Sequence, residues 1–183
     1  MARTAIIVLA EGFEEIEAVT PADILRRAGV EVELVGLDAT AVGGAHGVTF
    51  QADRTLADSE DADAVVLPGG MPGAANLAGS APLAALLEAQ AGAGKLVAAI
   101  CASPAVVLAG LGLLDGRRAT CYPGFEERFG PSTTYATDAV VRDGNILTSR
   151  GPGTAFAFGL AIAGELAGEA KAREVAERML YSG

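Results

Sequence analysis

The chain has 183 residues, of which 51% are hydrophobic and 20% charged, a composition typical of a globular domain with a sizeable core. The formal net charge of −10 disfavours nucleic acid or an anionic membrane as the main partner. No apolar run approaches the roughly 20 residues of a membrane-spanning helix, and the run from Ala5 to Ala10 is too short for a signal peptide. Two cysteines without a secretory signal indicate free thiols in a reducing cytoplasm.

The first half of the chain alternates short apolar runs with stretches of helical spacing. Pro21 lies inside the first helical stretch and predicts a kink or a short first turn, and Gly29 marks its end. The uninterrupted apolar strands are typical of a buried parallel sheet. The predicted elements are strand Thr4–Leu9, helix Glu14–Ala28, strand Val30–Val35, a short strand over Val48–Phe50 and strand Asp63–Leu67.

The second half continues this alternation and adds a hairpin, because Asp143-Gly144 separates two strand-like runs. The predicted elements are helix Pro82–Ala91, strand Leu96–Ile100, helix Pro104–Leu111, strands Ala139–Arg142 and Asn145–Ser149, and helices Thr154–Leu166 and Ala170–Tyr181. No linker or repeat interrupts the pattern. We therefore expect one α/β domain over residues 1–183, with a mostly parallel sheet, helices on both faces and a late β-hairpin.

Four segments with unusual residues follow predicted strand ends. In an open α/β sheet, ligands bind in the crevice outside the carboxyl ends of the strands. Loops are polar in any protein, but four loops that bring carboxylates, glycines, a cysteine and an arginine to one edge predict a functional site. The segments are Glu11–Glu17, Pro68–Gly73, Cys101–Pro104 and Arg150–Thr154.

Cys101 follows the most apolar strand and precedes a helix, in the run LVAAICASP. This layout is that of a nucleophile elbow, in which a strained turn exposes the nucleophile. The N-terminus of the following helix would stabilise a thiolate, the reactive form of cysteine. The alternative is a buried and inert core cysteine, and the turn alone does not decide between the two. Cys121 has no such turn and is interpreted as structural.

Glu14, Glu15 and Glu17 cluster at the start of the first helix. The helix dipole favours carboxylates there, although three exceed what the dipole requires. Their spacing directs Glu14 and Glu17 toward one face and Glu15 elsewhere. A carboxyl turned into the crevice would have a raised pKa and could act as a general acid or base. Spacing alone does not decide which of the three turns inward.

The glycines of GGMPG, which are Gly69, Gly70 and Gly73, lack the spacing of a dinucleotide-binding loop. Their backbone amides could form an oxyanion hole that faces Cys101, or the segment could be a simple tight turn. Arg150 could likewise hold a carboxylate or lie in a surface turn.

His46 is the one histidine of the sequence and lies in a glycine-rich loop, away from every predicted strand end. A Cys-His dyad in the crevice is therefore not expected, which disfavours a cysteine-protease triad. One histidine and two distant cysteines also give no metal-ligand spacing, so no metal site is predicted.

The segments AEGFEEIEAV, VVLPGGMPGA, AAICASPAVVL and ILTSRGPGT, with the closing helices, resemble the ThiJ/PfpI superfamily and, within it, the branch of the parkinsonism-associated protein deglycase and its bacterial relatives. The resemblance covers essentially the whole chain. It implies a flavodoxin-like three-layer sandwich in which Cys101 is the nucleophile and oxidation-sensitive thiol, and Glu17 is the protonated acid hydrogen-bonded to it. Gly69 and Gly70 would supply the oxyanion-hole amides. The remaining candidate substrate contacts are Glu14, Ala102, Tyr122 and Arg150.

The resemblance further implies a homodimer that needs no cofactor or metal. It would act on methylglyoxal, glyoxal or their adducts on proteins and nucleotides, as a glutathione-independent glyoxalase (glyoxalase III-type, D-lactate dehydratase) and deglycase in carbonyl and oxidative stress. The alternative is a redox-sensing chaperone in which Cys101 is oxidised to a sulfinate. Two positions depart from the family pattern. Tyr122 stands where part of the family has a histidine, which weakens a peptidase assignment, and His46 stands where some relatives have an interface arginine, which weakens the expectation of anion binding there.

Overall fold

The computed structural model describes residues 2–59 and 61–182 of the chain. The strands are β1 (Thr4–Leu9), β2 (Glu31–Gly36), β3 (Ala41–Gly43), β4 (Thr49–Gln51), β5 (Arg54–Thr55), β6 (Ala64–Leu67), β7 (Leu96–Ile100), β8 (Arg118–Ala119), β9 (Thr134–Tyr135), β10 (Val140–Asp143) and β11 (Ile146–Ser149). The α-helices are α1 (Glu15–Arg27), α2 (Gly73–Ala78), α3 (Ala81–Gly92), α4 (Ala155–Ala167) and α5 (Glu169–Arg178). A π-helical segment covers Pro104–Leu108, and 3-10 turns cover Leu56–Asp58, Glu126–Arg128 and Pro152–Thr154.

The central sheet has the strand order β10-β11-β7-β6-β1-β2-β5 within the described residues. Neighbouring strands are parallel except β10 and β11, which form the predicted antiparallel hairpin. The chain first extends the sheet from β1 to β2 and later returns to the other side of β1 to form β6. The order therefore reverses between β1 and β6, and the carboxyl ends of these two strands border the crevice in which such sheets bind ligands.

The side chains of β1 alternate between two hydrophobic layers. Ala5, Ile7 and Leu9 lie in one core together with residues of α1, α4 and α5. Ile6 and Val8 lie in the other, together with residues of α2, α3 and the π-helical segment. Each such fully buried aliphatic side chain contributes about 1.5–3 kcal/mol to folding. Helices cover both faces of the sheet, which confirms the predicted flavodoxin-like, three-layer α/β architecture. No helix among the described residues is both long and apolar enough to cross a membrane.

Helix α1 is continuous through Pro21, so no short first turn is separated from the rest of the helix. Its neighbour α4 approaches it closely at Gly159. A Cβ at Gly159 would lie 2.9 Å from Ile24 Cδ1 and 3.1 Å from Pro21 Cα, closer than well-packed carbon atoms approach. The two helices can pack at this distance because position 159 carries no side chain. This packing holds the middle of α1 against α4.

The unpredicted elements are short ones that depend on contacts from elsewhere in the chain. Strand β3 pairs with β4, which corresponds to the predicted short strand over Val48–Phe50. Strands β8 and β9, of two residues each, pair with one another. Helix α2 has six residues, too few for a clear helical period. The predicted helix Pro104–Leu111 is instead π-helical over Pro104–Leu108, where Ala109 N donates to Pro104 O at 2.9 Å.

Candidate active site

The four loops that follow the strand ends lie together, so their predicted convergence at one edge of the sheet is confirmed. Hydrogen bonds link the loops after β1, β6 and β7 and the end of β11, and in the loop after β11 a Cβ at Gly151 would lie 4.0 Å from Glu17 Oε1. The bonds run from Glu14 N to Gly69 O (3.0 Å), from Ser103 Oγ to Pro68 O (2.6 Å) and from Cys101 N to Ser149 O (3.0 Å).

Cys101 is the first residue after β7 and has a left-handed backbone conformation, with φ of 66°. This conformation costs about 1–2 kcal/mol for a residue with a Cβ, and such strain clusters at functional sites. The residue is 9% exposed, and its carbonyl oxygen accepts a hydrogen bond from Tyr122 N at 2.8 Å. The turn holds the cysteine at the edge of the crevice by its backbone on both sides, which is the geometry that the elbow interpretation requires.

Glu17 is the carboxyl that turns inward, and it is completely buried. Its Oε2 accepts a hydrogen bond from Gly69 N at 2.8 Å. Its Oε1 is buried without a hydrogen-bond partner among the described residues, and this carboxyl interacts with the Cys101 thiol. Burial raises the pKa of Glu17 to about 7, although the Gly69 hydrogen bond opposes the shift. A substantial share of Glu17 therefore carries a proton near neutral pH.

The Cys101 thiol and the Glu17 carboxyl behave as one titrating pair. Burial, followed by the negative charge of Glu17, raises the pKa of Cys101 to about 12. The sequence-based expectation that the following helix keeps the sulfur ionised is thus opposed by burial and by the neighbouring carboxylate. When Glu17 is protonated this repulsion disappears, and its O–H can donate to a thiolate. The geometry suits a site in which one proton moves between sulfur and carboxyl oxygen.

The backbone amides near the sulfur come from Gly70 and Ala102, which both donate toward Cys101 and lower its pKa. Gly69 was also predicted to be an oxyanion-hole donor, but its N–H is already used by Glu17. Gly70 has φ of 84°, and a Cβ there would lie 2.5 Å from Glu14 N. Only glycine fits this position, because it alone combines the left-handed conformation with the close backbone approach.

The other two carboxylates of the cluster hold the start of helix α1. Glu14 is its N-cap, and its Oε2 accepts a hydrogen bond from Glu17 N at 2.9 Å. Glu15 accepts hydrogen bonds from His46 N at 2.7 Å and from Val48 N at 3.4 Å, and lies 2.9 Å from His46 Nδ1. Burial opposes ionisation of Glu15, but the hydrogen bonds from His46 outweigh it and lower its pKa. Glu14, a predicted substrate contact, therefore positions Glu17 in this structure.

The contact with Glu15 brings His46 to the edge of the crevice. The position of His46 in the sequence did not indicate this contact. Its hydrogen bond with Glu15 raises its pKa. One ligand atom each from Glu14, Glu15 and His46 lie within 4.8 Å of one another. Among the described residues, these three form the group whose donor atoms lie close enough together to hold a metal ion. The sequence did not predict a metal site.

The remaining candidates lie around the same turn. Tyr122 is 45% exposed, and its ring lies edge-on to Phe125 with centroids 6.3 Å apart. Arg150 donates to Thr137 O at 3.4 Å, and its Nε is buried without a partner. Cys121 is fully buried, and burial followed by the charge of Glu126 raises its pKa to about 12, which agrees with its interpretation as structural.

Comparisons with known proteins place these features in context. A model of the DJ-1/PfpI family matches residues 3–165. The chain is 44% identical to Protein dj-1beta of Drosophila melanogaster over all of this chain and 99% of that protein, whose crystal structure superposes with a TM-score of 0.95. It is 36% identical to the glutathione-independent glyoxalase DJR-1.2 of Caenorhabditis elegans, over 92% of this chain and 91% of that one. The oxidized DJ-1 of Toxoplasma gondii covers the whole chain at 39% identity, with a TM-score of 0.95.

The buried Glu17 carboxyl should make stability depend on pH. Its pKa of about 7 in the folded protein lies above the ordinary value of 4.5, so the folded state holds this proton more tightly than the unfolded state. The contribution is complete below about pH 4.5 and is lost as the pH rises to about 7. At about 1.4 kcal/mol per pKa unit, the loss amounts to about 3 kcal/mol.

The substitution Glu17→Gln gives residue 17 a side chain that carries no charge at any pH. Urea unfolding at a fixed protein concentration should therefore show the stability of Glu17→Gln rising relative to wild type, by up to about 3 kcal/mol between pH 4.5 and 7.5. Glu88→Gln, at an exposed position on α3, is the control and should show no such trend. A constant difference between Glu17→Gln and wild type across this range would contradict the raised pKa.

Proposed function

Because the chain belongs to the DJ-1/PfpI family, we propose that it is a cysteine-dependent, glutathione-independent glyoxalase that converts methylglyoxal and glyoxal to hydroxy acids. The observation that carries this proposal is the contact between the Cys101 thiol and the buried, partly protonated Glu17 carboxyl. A relative of 36% identity bears the name of the same activity. The site has a nucleophile, a proton carrier and two amides, which are the groups that this rearrangement requires.

The reaction begins when the Cys101 sulfur attacks the aldehyde carbon. The thiol proton passes to the Glu17 carboxylate as the new carbon–sulfur bond forms. The aldehyde oxygen becomes an oxyanion, which the Gly70 and Ala102 amides stabilise. Protonation of this oxygen by Glu17 gives a hemithioacetal and returns Glu17 to its carboxylate form.

The rearrangement then moves hydrogen between the two carbons of the substrate. Glu17 takes the proton from the former aldehyde carbon, and the adjacent carbonyl carbon receives a proton in return. The first carbon becomes a thioester and the second an alcohol, so oxidation and reduction balance inside one molecule. Water hydrolyses the thioester to the hydroxy acid and restores the thiol. Neither a cofactor nor a metal enters these steps.

In adducts of these aldehydes on protein or nucleotide amines and thiols, the Cys101 sulfur would displace the amine or thiol from the carbinol carbon while Glu17 protonates the departing group. This releases the repaired group and leaves the same hemithioacetal, which is the deglycase activity that the family resemblance implies. Free thiols at Cys101 and Cys121 support the further proposal of a reducing, cytoplasmic location.

The second candidate function is that of a redox-sensing chaperone, in which oxidation of Cys101 controls the chaperone function. The observation that favours it is the same contact, because a protonated carboxyl beside the sulfur can hydrogen-bond to a cysteine sulfinate. A homologous structure bears the description oxidized. In this role two equivalents of peroxide convert the thiol to a sulfinate and are reduced to water.

We also propose a homodimer formed through an apolar patch beside the site. Ile16 and Val19 are 52% and 41% exposed and lie one turn apart on α1, and Val48 is 51% exposed. Val48 N donates to Glu15, so the three side chains lie near one another. Exposed apolar side chains grouped in this way are typical of an interaction surface.

The glyoxalase proposal predicts that purified protein converts methylglyoxal to lactate. Cys101→Ser should abolish the activity, since a hydroxyl of much higher pKa replaces the nucleophile, and Glu17→Gln should lower kcat by about 10²–10⁴-fold, the usual contribution of a general acid–base. Glu88→Gln is the matched carboxylate control and should retain the wild-type rate. Equal lactate formation by wild type and Cys101→Ser would refute the proposal.

The redox proposal predicts that mild peroxide adds two oxygen atoms selectively at Cys101. Intact mass and peptide mapping measure the product, and Glu17→Gln should shift it toward over-oxidation, because the amide replaces the protonated carboxyl beside the sulfur. A gain of two oxygens with negligible lactate formation favours the sensor over the enzyme. Equal oxidation of Cys121 would show that the reaction is not directed by the site.

The dimer proposal predicts that Val19→Asp is a monomer, because a charge at the centre of the patch would lose its hydration on association. Sedimentation velocity at micromolar concentration measures the change. Leu180→Asp, at a position that is 90% exposed and distant in sequence from the patch, should leave the dimer intact. A monomeric wild type, or a Val19→Asp variant that sediments as a dimer, would overturn the interface.

A further inference from the structure

The two oxygens of the buried Glu17 carboxyl differ in their hydrogen bonding. Its Oε2 accepts the Gly69 hydrogen bond, and the Gly69 side of the carboxyl is closed, since a Cβ there would lie 2.5 Å from Cys101 Cβ. Its Oε1 has no hydrogen-bond partner among the described residues. A substrate that exchanges protons with Glu17 must therefore lie on the Oε1 side.

Gly151 and Tyr122 bound that side of the carboxyl. A Cβ at Gly151 would lie 3.1 Å from Tyr122 Cδ2, 3.5 Å from Tyr122 Cε2 and 4.0 Å from Glu17 Oε1. Gly151 has φ of 167°, an extended conformation that any residue adopts. The backbone does not require glycine at this position, but a side chain there would press against the Tyr122 ring.

The Tyr122 ring is attached to the nucleophile through the backbone. Tyr122 N donates to Cys101 O at 2.8 Å, and Phe125 N donates to Tyr122 O at 3.1 Å. The Phe125 ring contacts the Tyr122 ring edge-on. These contacts tie the segment that carries the ring to the Cys101 turn.

We propose that Tyr122 and Gly151 together form the wall that sets the size limit of the carbonyl substrate, so that the site selects glyoxal and methylglyoxal over α-oxoaldehydes with bulky substituents. The inference rests on the proposed glyoxalase function and names its substrate class. Tyr122 acts as a specificity-determining residue through the bulk of its ring. Because Gly151 has no side chain, it does not narrow the space beside the Tyr122 ring.

The first test compares kcat/KM for methylglyoxal and phenylglyoxal. The ratio of phenylglyoxal to methylglyoxal should rise about tenfold or more in Tyr122→Ala, in line with the effect of a change in pocket volume. It should stay the same in Tyr122→Phe, which keeps the ring, and fall in Gly151→Ala, which narrows the space. An unchanged ratio in Tyr122→Ala, or the same fall in Tyr122→Phe as in Gly151→Ala, would overturn the wall.

The second test does not need enzymatic turnover. N-methylmaleimide and N-phenylmaleimide share one reactive group and differ in bulk, and intact mass follows their addition to Cys101, with Cys101→Ser reporting any reaction at Cys121. The rate ratio of the phenyl to the methyl reagent should rise in Tyr122→Ala, stay constant in Tyr122→Phe and fall in Gly151→Ala.

The two tests separate the two proposals. A wild type without lactate formation but with the expected maleimide ratios overturns the glyoxalase function and leaves the wall supported. If the wild type is active but the ratios do not change in Tyr122→Ala, the proposal that Tyr122 and Gly151 limit substrate size is wrong and the glyoxalase proposal stands. Thermal unfolding of each variant confirms that a changed ratio comes from a folded protein.

Discussion

The Glu17 carboxyl lies where three loops meet and has no contact with solvent. Gly69 holds one of its oxygens, Cys101 interacts with the carboxyl, and Gly151, which has no side chain, lies on the side of the other oxygen. Burying an unpaired carboxylate is expensive, so the site is stable in the form that keeps a proton on this pair. The proposed nucleophile, the proposed proton carrier and the proposed substrate wall all depend on how this one side chain is enclosed.

The rest of helix α1 serves to place that carboxyl. Glu14 caps the helix by accepting from Glu17 N, and Glu15 anchors the β3–β4 ribbon through His46 and Val48. Gly159 lets α4 pack closely against the middle of α1. The helix N-terminus favours a negative charge, yet burial prevails and raises the pKa of Glu17. Three neighbouring carboxylates thus have three different places in the structure, as helix cap, as loop anchor and as the proposed proton carrier, which their sequence positions do not distinguish.

The sequence could predict the elements whose bounds depend on residues that are neighbours along the chain. Strands β1 and β7 have the predicted bounds, because uninterrupted buried apolar runs end at polar or small residues. The strained turn at Cys101 followed from the same pattern. The contact of Gly69 with Glu17 joins residues 52 positions apart, and that of His46 with Glu15 joins residues 31 apart. Periodicity carries no information about such pairs, so the use of Gly69 and the arrival of His46 at the crevice could not be foreseen.

The left-handed backbone of Cys101 has a consequence for how this sequence can change over time. A glycine at position 101 would adopt φ of 66° without the steric penalty that a Cβ carries there. The backbone of this turn would thus be relieved of strain by the loss of the cysteine. Backbone geometry alone gives no reason to keep a thiol at this position, so its persistence in a lineage would be a record of continued selection for its chemistry.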